Sequence, residues 1–436
     1  MKKFITKTAL TALSAVVMTS ATVNAQNSAD TTFKPGGKIW GYAFGDYTFK
    51  AKADTAGFTT LGKYRGGSNQ YTNANYANNG LNMSMFQFRR VYLGYDYNIS
   101  SKFSAEFLLA AEDDFNTAGA ASATGGINLA PNQNGDVLAN NKFAPYIKLA
   151  NIRWKRIFPG ADLVIGQIAT PAFPMMSEAI WSYRSVERTI TDIRRTPSFD
   201  MGASLQGRFI PSNDNFGYNL MVGNGQSAKP ENDMYKSFYG DVYAKFFEKH
   251  LVVDLYSDYT RLNQSWNTTL KGMWNHERDM VKLFVAWTEP KFTVGVEYFM
   301  NTLLGDDFAT TLDGKGVQAL TTKATGLSIF ARAKVYKDKL NAFARFDSYD
   351  PTSGVDATKW LKFAGQTSQY DPNTSETFMT FGLDFTPIKN VHIMPNVWIN
   401  NYHSVGYSAL NSKGQTSIGD GTDMSYRLTF YYIYGK

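Results

Sequence analysis

From residue 37 to the end the chain repeats one pattern. A segment of about ten residues alternates apolar and polar side chains, and the connection that follows is in turn short, long and short again. In KFTVGVEYFMN (291–301), Phe292, Val294, Val296, Tyr298 and Met300 share one face, and Thr293, Gly295, Glu297 and Phe299 share the other. A period of two marks a pleated strand with two unlike faces. Sixteen such segments can be drawn: 37–50, 85–97, 102–112, 144–157, 163–168, 201–210, 216–224, 237–247, 251–261, 279–289, 291–301, 325–336, 340–349, 377–386, 391–401 and 424–434. NISS, PGAD, PSNDN, EKH, Glu289-Pro290, KDK and PIKN close seven hairpins, and longer stretches separate the hairpins. Tight turns on one rim and long loops on the other predict an all-β, transmembrane, antiparallel up-and-down β-barrel with short periplasmic turns and long extracellular loops. A soluble sandwich would mix connection lengths and cross over in Greek keys.

The composition agrees. Aromatic residues make up 15% of the chain, yet no apolar run of eighteen follows residue 25, so no spanning helix is expected. The opening MKKFITKTALTALSAVVMTSATVNAQ has a basic head, an apolar run and small residues at Val23-Asn24-Ala25. That is the pattern of an export signal over residues 1–25, with the barrel domain in 26–436. Its cleavage would lower the formal charge from +7 to +4, which points to neither nucleic acid nor a polybasic membrane patch. The chain has no cysteine, so disulfides and thiolate chemistry are excluded.

Parity assigns the faces. Val91, Leu93, Tyr95 and Tyr97 oppose Arg90, Tyr92, Gly94 and Asp96, and Leu428, Phe430, Tyr432 and Tyr434 oppose Arg427 and Thr429. The inward set contains Arg90, Arg208, Lys245, Lys282, Arg332, Lys334 and Arg345. It also contains Asp96, Glu106, Asp241, Asp254, Asp258, Glu297, Asp347 and Asp384, so the expected lumen is mixed in sign. In a wide, water-filled barrel such charges are expected to stay solvated, with Glu297 facing the channel. Two places break the pattern. Apolar parity slips between Leu149 and Ile152, which suggests a bulge, and Pro395 interrupts a strand, where a bulge would accommodate it.

Several stretches resemble the phosphate-selective porins O and P: FRRVYLGYDYNISSKFSAEF, PYIKLANIRW, FPGADLVIGQIATPAF, DMGASLQGRF and YNLMVGNG. Their order and spacing fit over roughly residues 37–436. The resemblance implies a sixteen-stranded porin, commonly a homotrimer, whose third long loop folds inward. In this chain that loop is 169–200, and it carries Arg184, Arg188, Arg194 and Arg195. Arginine is always charged and its fork matches phosphate or carboxylate, so these four are the candidate constriction and anion filter. The alternative role for each is to brace the loop against wall carboxylates. The mixed lumen departs from the dense basic ladder of phosphate-specific members, so a general porin with a local anion filter fits better than a strong phosphate site.

Other chemistries fit poorly. His250, His276, His392 and His403 form no metal-spaced pair, and no metal or other cofactor is expected. His276 and Glu277 are neighbours on a strand and point apart. No serine nucleophile setting or phosphate-binding loop can be recognised. A plugged transporter would need about 22 strands. The expected function is passive diffusion of small hydrophilic solutes or anions across the bacterial outer membrane, without enzymatic activity. The alternative is a structural or adhesive barrel with a closed lumen. Expected partners are outer-membrane lipid, two sister copies and the barrel assembly machinery, to which RLTFYYIYGK offers outward Leu428, Phe430, Tyr432 and Tyr434.

Overall fold

The computed structural model describes residues 33–53, 81–82, 84–112, 145–194, 197–268, 270–311, 317–350, 353, 360–363, 375–403 and 421–435. The body Gly36–Lys436 is a unit separate from Met1–Pro35, and the expected signal 1–25 lies outside the described residues. Its strands are β1 (Gly36–Lys52), β2 (Ser84–Asn98), β3 (Phe103–Glu112), β4 (Tyr146–Phe158), β5 (Ala161–Ala169), β6 (Phe199–Arg208), β7 (Phe216–Gly223) and β8 (Ser237–Phe246). They continue as β9 (Leu251–Asn267), β10 (Gly272–Thr288), β11 (Phe292–Thr311), β12 (Val317–Tyr336), β13 (Leu340–Asp350), β14 (Trp360–Phe363), β15 (Ser375–Phe385), β16 (Val391–His403) and β17 (Gly421–Tyr434). Two single-turn helices, α1 (Ser177–Trp181) and α2 (Ile190–Arg194), lie between β5 and β6.

All neighbouring strands are antiparallel, and β1 pairs with both β2 and β17, so the sheet closes on itself. Closure leaves the ring without an edge strand among the described residues, which is the condition for crossing lipid with strands. Sixteen strands form the ring, because β13 pairs directly with β15 and the four-residue β14 is an addition on Ala309–Thr311 of β11. The outward face can be followed through the register. Leu163 sits opposite Leu205 and Leu205 opposite Leu220, while Val242 faces Leu255, Leu255 faces Leu283 and Leu283 faces Tyr298. Further round, Ile329 faces Phe346, Phe346 faces Met379, Val397 faces Tyr426 and Leu428 faces Tyr47. Leu220, Leu255, Leu283, Leu428, Val242, Ile329, Phe346 and Tyr426 are among the exposed side chains, as a lipid-facing belt requires.

Three expectations are corrected. The connections expected between 261 and 279 and between 301 and 325 are mostly continued strand: β9 and β10 pair as far as Gly272 opposite Asn267, and β11 and β12 as far as Thr310 opposite Val317. Alternation persists there in more polar residues, which a search for apolar runs passes over. The irregularity in β4 falls one residue earlier than expected, since Leu108 pairs with Leu149 and Leu109 with Ile147, leaving Lys148 as the extra residue. Pro395 causes no bulge. Pairing of β15 with β16 lapses between Gly382–Asn396 and Phe385–Ile393 and resumes in the same register. The missing amide of Pro395 thus interrupts the ladder locally.

A further bulge has more consequence for the interior. Phe44 pairs with Arg90 and Gly45 with Phe88, so Arg89 is an extra residue in β2. Phe86 and Phe88 point out and Val91 points out, so Arg89 and Arg90 both turn inward, where both are buried.

Candidate channel constriction

Residues 170–194 leave the end of β5 and fold against the inner wall, and residues 197–198 lead into β6. The segment cannot build a core of its own, so its apolar side chains pack on inward residues of the wall. Ala172, Phe173 and Ile190 join Val164, Ile168, Met280 and Phe299 in one cluster. Trp181, Tyr183 and Val186 join Phe284, Phe330, Phe343 and Met394 in another. Trp181 lies 5.1 Å from Phe330 and Tyr183 lies 4.6 Å from Phe343, centroid to centroid. Room for the wall rings comes from glycine. A Cβ on Gly295 would sit 2.3 Å from the Phe330 ring, and one on Gly326 would sit 2.2 Å from the Phe299 ring.

Polar wall residues pin the segment's backbone. Arg89 donates to the carbonyls of Ser185 and Val186, the latter at 2.9 Å. Lys282 donates to the Ala172 carbonyl and pairs with Asp254 at 3.2 Å. Arg345 donates to the Arg188 carbonyl, pairs with Asp347 at 2.7 Å and covers the Trp181 ring. Glu297 accepts from the amide and hydroxyl of Thr191, and Tyr183 donates to Asp384 at 3.2 Å. The expectation of solvated lumen charges is therefore overturned for Lys282, Arg345, Arg90 and Glu297, all of which are buried. A backbone folded into the lumen brings carbonyls and amides that need partners, and these side chains supply them.

Two charged groups face each other where this segment approaches β2, β3 and β4. On the wall, Glu112 takes Arg90 at 3.0 Å, Lys148 and the Tyr92 hydroxyl. On the segment, Arg184 bridges Glu178 and Asp192, the latter at 2.7 Å. Arg188 is looser, with Asp192 at 3.8 Å and Glu187 at 3.9 Å, and is more exposed than Arg184. Burial pushes the Glu178 carboxyl above its usual range. Asp192 is buried as well, but Arg184 and Arg188 beside it hold its carboxyl below that range. Between the groups lies a cavity of about 350 Å³ lined by Arg90, Glu112, Arg184, Arg188, Asp192 and Lys229 among others.

The remaining expected residues divide by position. Lys245 pairs with Asp214 at 2.9 Å and Lys334 with Asp338 at 2.7 Å at the tight-turn rim, and Arg208 is exposed at the end of β6. Arg332 is half-buried beside a second cavity, of about 530 Å³, at the same mouth. Arg194 ends α2, with its side chain outside the described residues, and Arg195 lies outside them altogether. Arg89, Lys148, Glu112 and Glu178 were not anticipated. For Arg89 the signal was present: in FQFRRVYLG the outward parity passes from Phe88 to Val91, which requires an extra residue between them.

No protein-family model matches the chain, and neither does any curated protein. Solved structures do. The anion-selective porin from Comamonas acidovorans matches with a TM-score of 0.52 at 9% identity, over 92% of this chain and 100% of that one. OmpF of Salmonella typhi, in complex with daunomycin, matches with a TM-score of 0.51 at 10% identity, over 91% and 97%. An in-vitro folded OmpT, an outer-membrane protein of Vibrio cholerae, matches with a TM-score of 0.51 at 11% identity, over 94% and 100%. At these identities the likeness is one of fold: this chain folds as the sixteen-stranded barrel that porins share.

Proposed function

We propose that the chain is an outer-membrane porin that lets small hydrophilic solutes diffuse down their gradients, with no chemical step. One observation carries this reading. A closed, oil-faced ring encloses an inward segment, and a charged cavity lies between that segment and the wall. A barrel kept only for strength or adhesion has no need of opposed charges around an internal cavity. The shared fold of the Comamonas and Salmonella proteins supports the reading.

The finer reading is a modest anion preference set by segment 169–200. Arg184 is neutralised by its own neighbours, so its role is mainly to brace the segment. Arg188, with two loose ion pairs and a partly exposed head, is the better filter. A low-dielectric wall focuses its field into the passage. The sequence resemblance to phosphate-selective porins favours the same sign, but the paired wall charges argue against a dedicated phosphate ladder. Assembly as a homotrimer, and insertion through the barrel machinery guided by β17, belong to the same proposal.

Purified protein in a planar bilayer tests it. The expected result is stable steps of conductance and a reversal potential, in a salt gradient, displaced to the anion side. Reversing Arg184 and Arg188 to Glu moves that potential toward cations, and Arg188→Glu alone produces most of the movement. An unchanged potential removes the segment as filter. Absence of any conductance favours the closed structural barrel, which the packing of the segment against β10, β12 and β13 would then explain.

A further inference from the structure

The 530 Å³ cavity lies at the tight-turn mouth, under Ser182, Tyr183 and Ser185 of the inward segment. Arg332, Asp384, His392, Met394 and Tyr431 wall it, and Lys291 stands at its rim. Arg90, Arg345 and Arg427 each meet a carboxylate, at Glu112, Asp347 and Asp46. Arg332 differs. Among the described residues no acid pairs with it, and its Nε is buried without a hydrogen-bond partner. Asp384, in the same cavity, is already engaged by the Tyr183 hydroxyl at 3.2 Å and by His392 Nδ1 at 2.9 Å. Lys334 is engaged by Asp338.

A guanidinium with unused donors, partly withdrawn from water, is a receptor for a planar two-oxygen anion. Asp384 and Glu289 on the same cavity oppose a second negative charge. Apolar surface lines it too: Met394, Ile433 and Tyr431, whose ring stacks on His392 at 5.2 Å. We propose that this mouth cavity binds small organic monocarboxylates, the carboxylate forked on Arg332 and the carbon body laid on Tyr431 and Met394. The site would select among solutes approaching from the turn side, so it deepens the porin reading and rests on it.

The test uses the full chain in detergent, titrated calorimetrically with sodium benzoate, benzyl alcohol and sodium phosphate. Benzoate binds saturably at one site, benzyl alcohol does not bind, and phosphate binds about tenfold more weakly or not at all. Arg332→Gln weakens benzoate by about tenfold or more, and Arg332→Lys, which keeps the charge and loses the fork, falls between the two. The wild-type ranking alone tests the proposal if a variant misfolds. Phosphate binding as tightly as benzoate, no benzoate binding, or equal binding by folded Arg332→Gln overturns it. In bilayers, benzoate added on the turn side lowers the current saturably. A protein that conducts but does not bind benzoate loses the site alone, whereas one that binds benzoate but does not conduct loses the porin reading.

Discussion

Glu178 and Asp192 share the guanidinium of Arg184, and their environments drive them apart. Burial raises Glu178, while Arg184 and Arg188 keep Asp192 ionised further into acid. As the pH falls, Glu178 therefore takes a proton before an ordinary glutamate would, and the inward segment gains one positive charge. If the proposed filter holds, anion preference should grow as the pH falls, starting before the range in which an ordinary glutamate protonates. The reversal potential of Glu178→Gln should lack this early rise and lie near the wild-type acid value. A wild-type potential independent of pH would contradict the assignment. Lys282 behaves as half of a unit. It is buried between Asp254 and the Ala172 carbonyl, so Lys282→Met leaves a bare carboxylate and costs about 3–5 kcal/mol. Pairing it with Asp254→Leu should recover most of that loss, because removing both partners of a buried pair is far cheaper than removing one. Thermal unfolding of the two single variants and the double variant measures the coupling. Additive losses would show that the pair is not an energetic unit.

Strand by strand, what the sequence revealed follows from what lipid enforces. The outward positions must be apolar, so β11 can be read directly from KFTVGVEYFMN, and its exposed residues are Phe292, Val294, Val296, Tyr298 and Met300. The inward positions obey no such rule. Phe284, Phe299, Phe330 and Phe343 stand on the inner parity and are buried under the segment. Aromatic rings on a face meant for water were the visible sign that something folds over them. Which wall charge meets which carbonyl was not legible, because it depends on the path of residues 170–193, and that path has no periodicity. The bulges at Arg89 and Lys148 turn these two cations of the wall inward, and each alters parity by a single residue. Gly295 ties these levels together. Gly295→Val would drive a side chain into the Phe330 ring, displace Trp181 and loosen the segment, at about 1–3 kcal/mol. The expected outcome is a lower unfolding temperature together with noisier single-channel current. A quiet channel of normal stability would mean that Phe330 does not hold the segment.

The barrel stands or falls on one seam. From Gly41–Tyr434 to Thr48–Arg427 the pairs of β1 with β17 are continuous, and Arg427 and Thr429 of β17 also reach Asp46 of β1. Both faces of the seam are thus fixed: hydrogen-bonded backbone between the strands, and a buried ion pair on the inner side. Removing residues 427–436 deletes that entire run of pairs and exposes the edge of β1 and of β16 at once. In water an open edge invites aggregation; in hydrocarbon each orphaned amide and carbonyl costs several kcal/mol, and there is no solvent to replace the partner. The truncated chain should therefore fail to enter lipid vesicles and should aggregate, while Arg427→Gln, which removes the inner ion pair but leaves the ladder intact, should insert with reduced thermal stability. Heat-dependent gel mobility and protection of the vesicle-bound chain from protease report both. Normal insertion of the truncated chain would mean that the ring can close without β17, and that the terminal strand is not what seals the barrel.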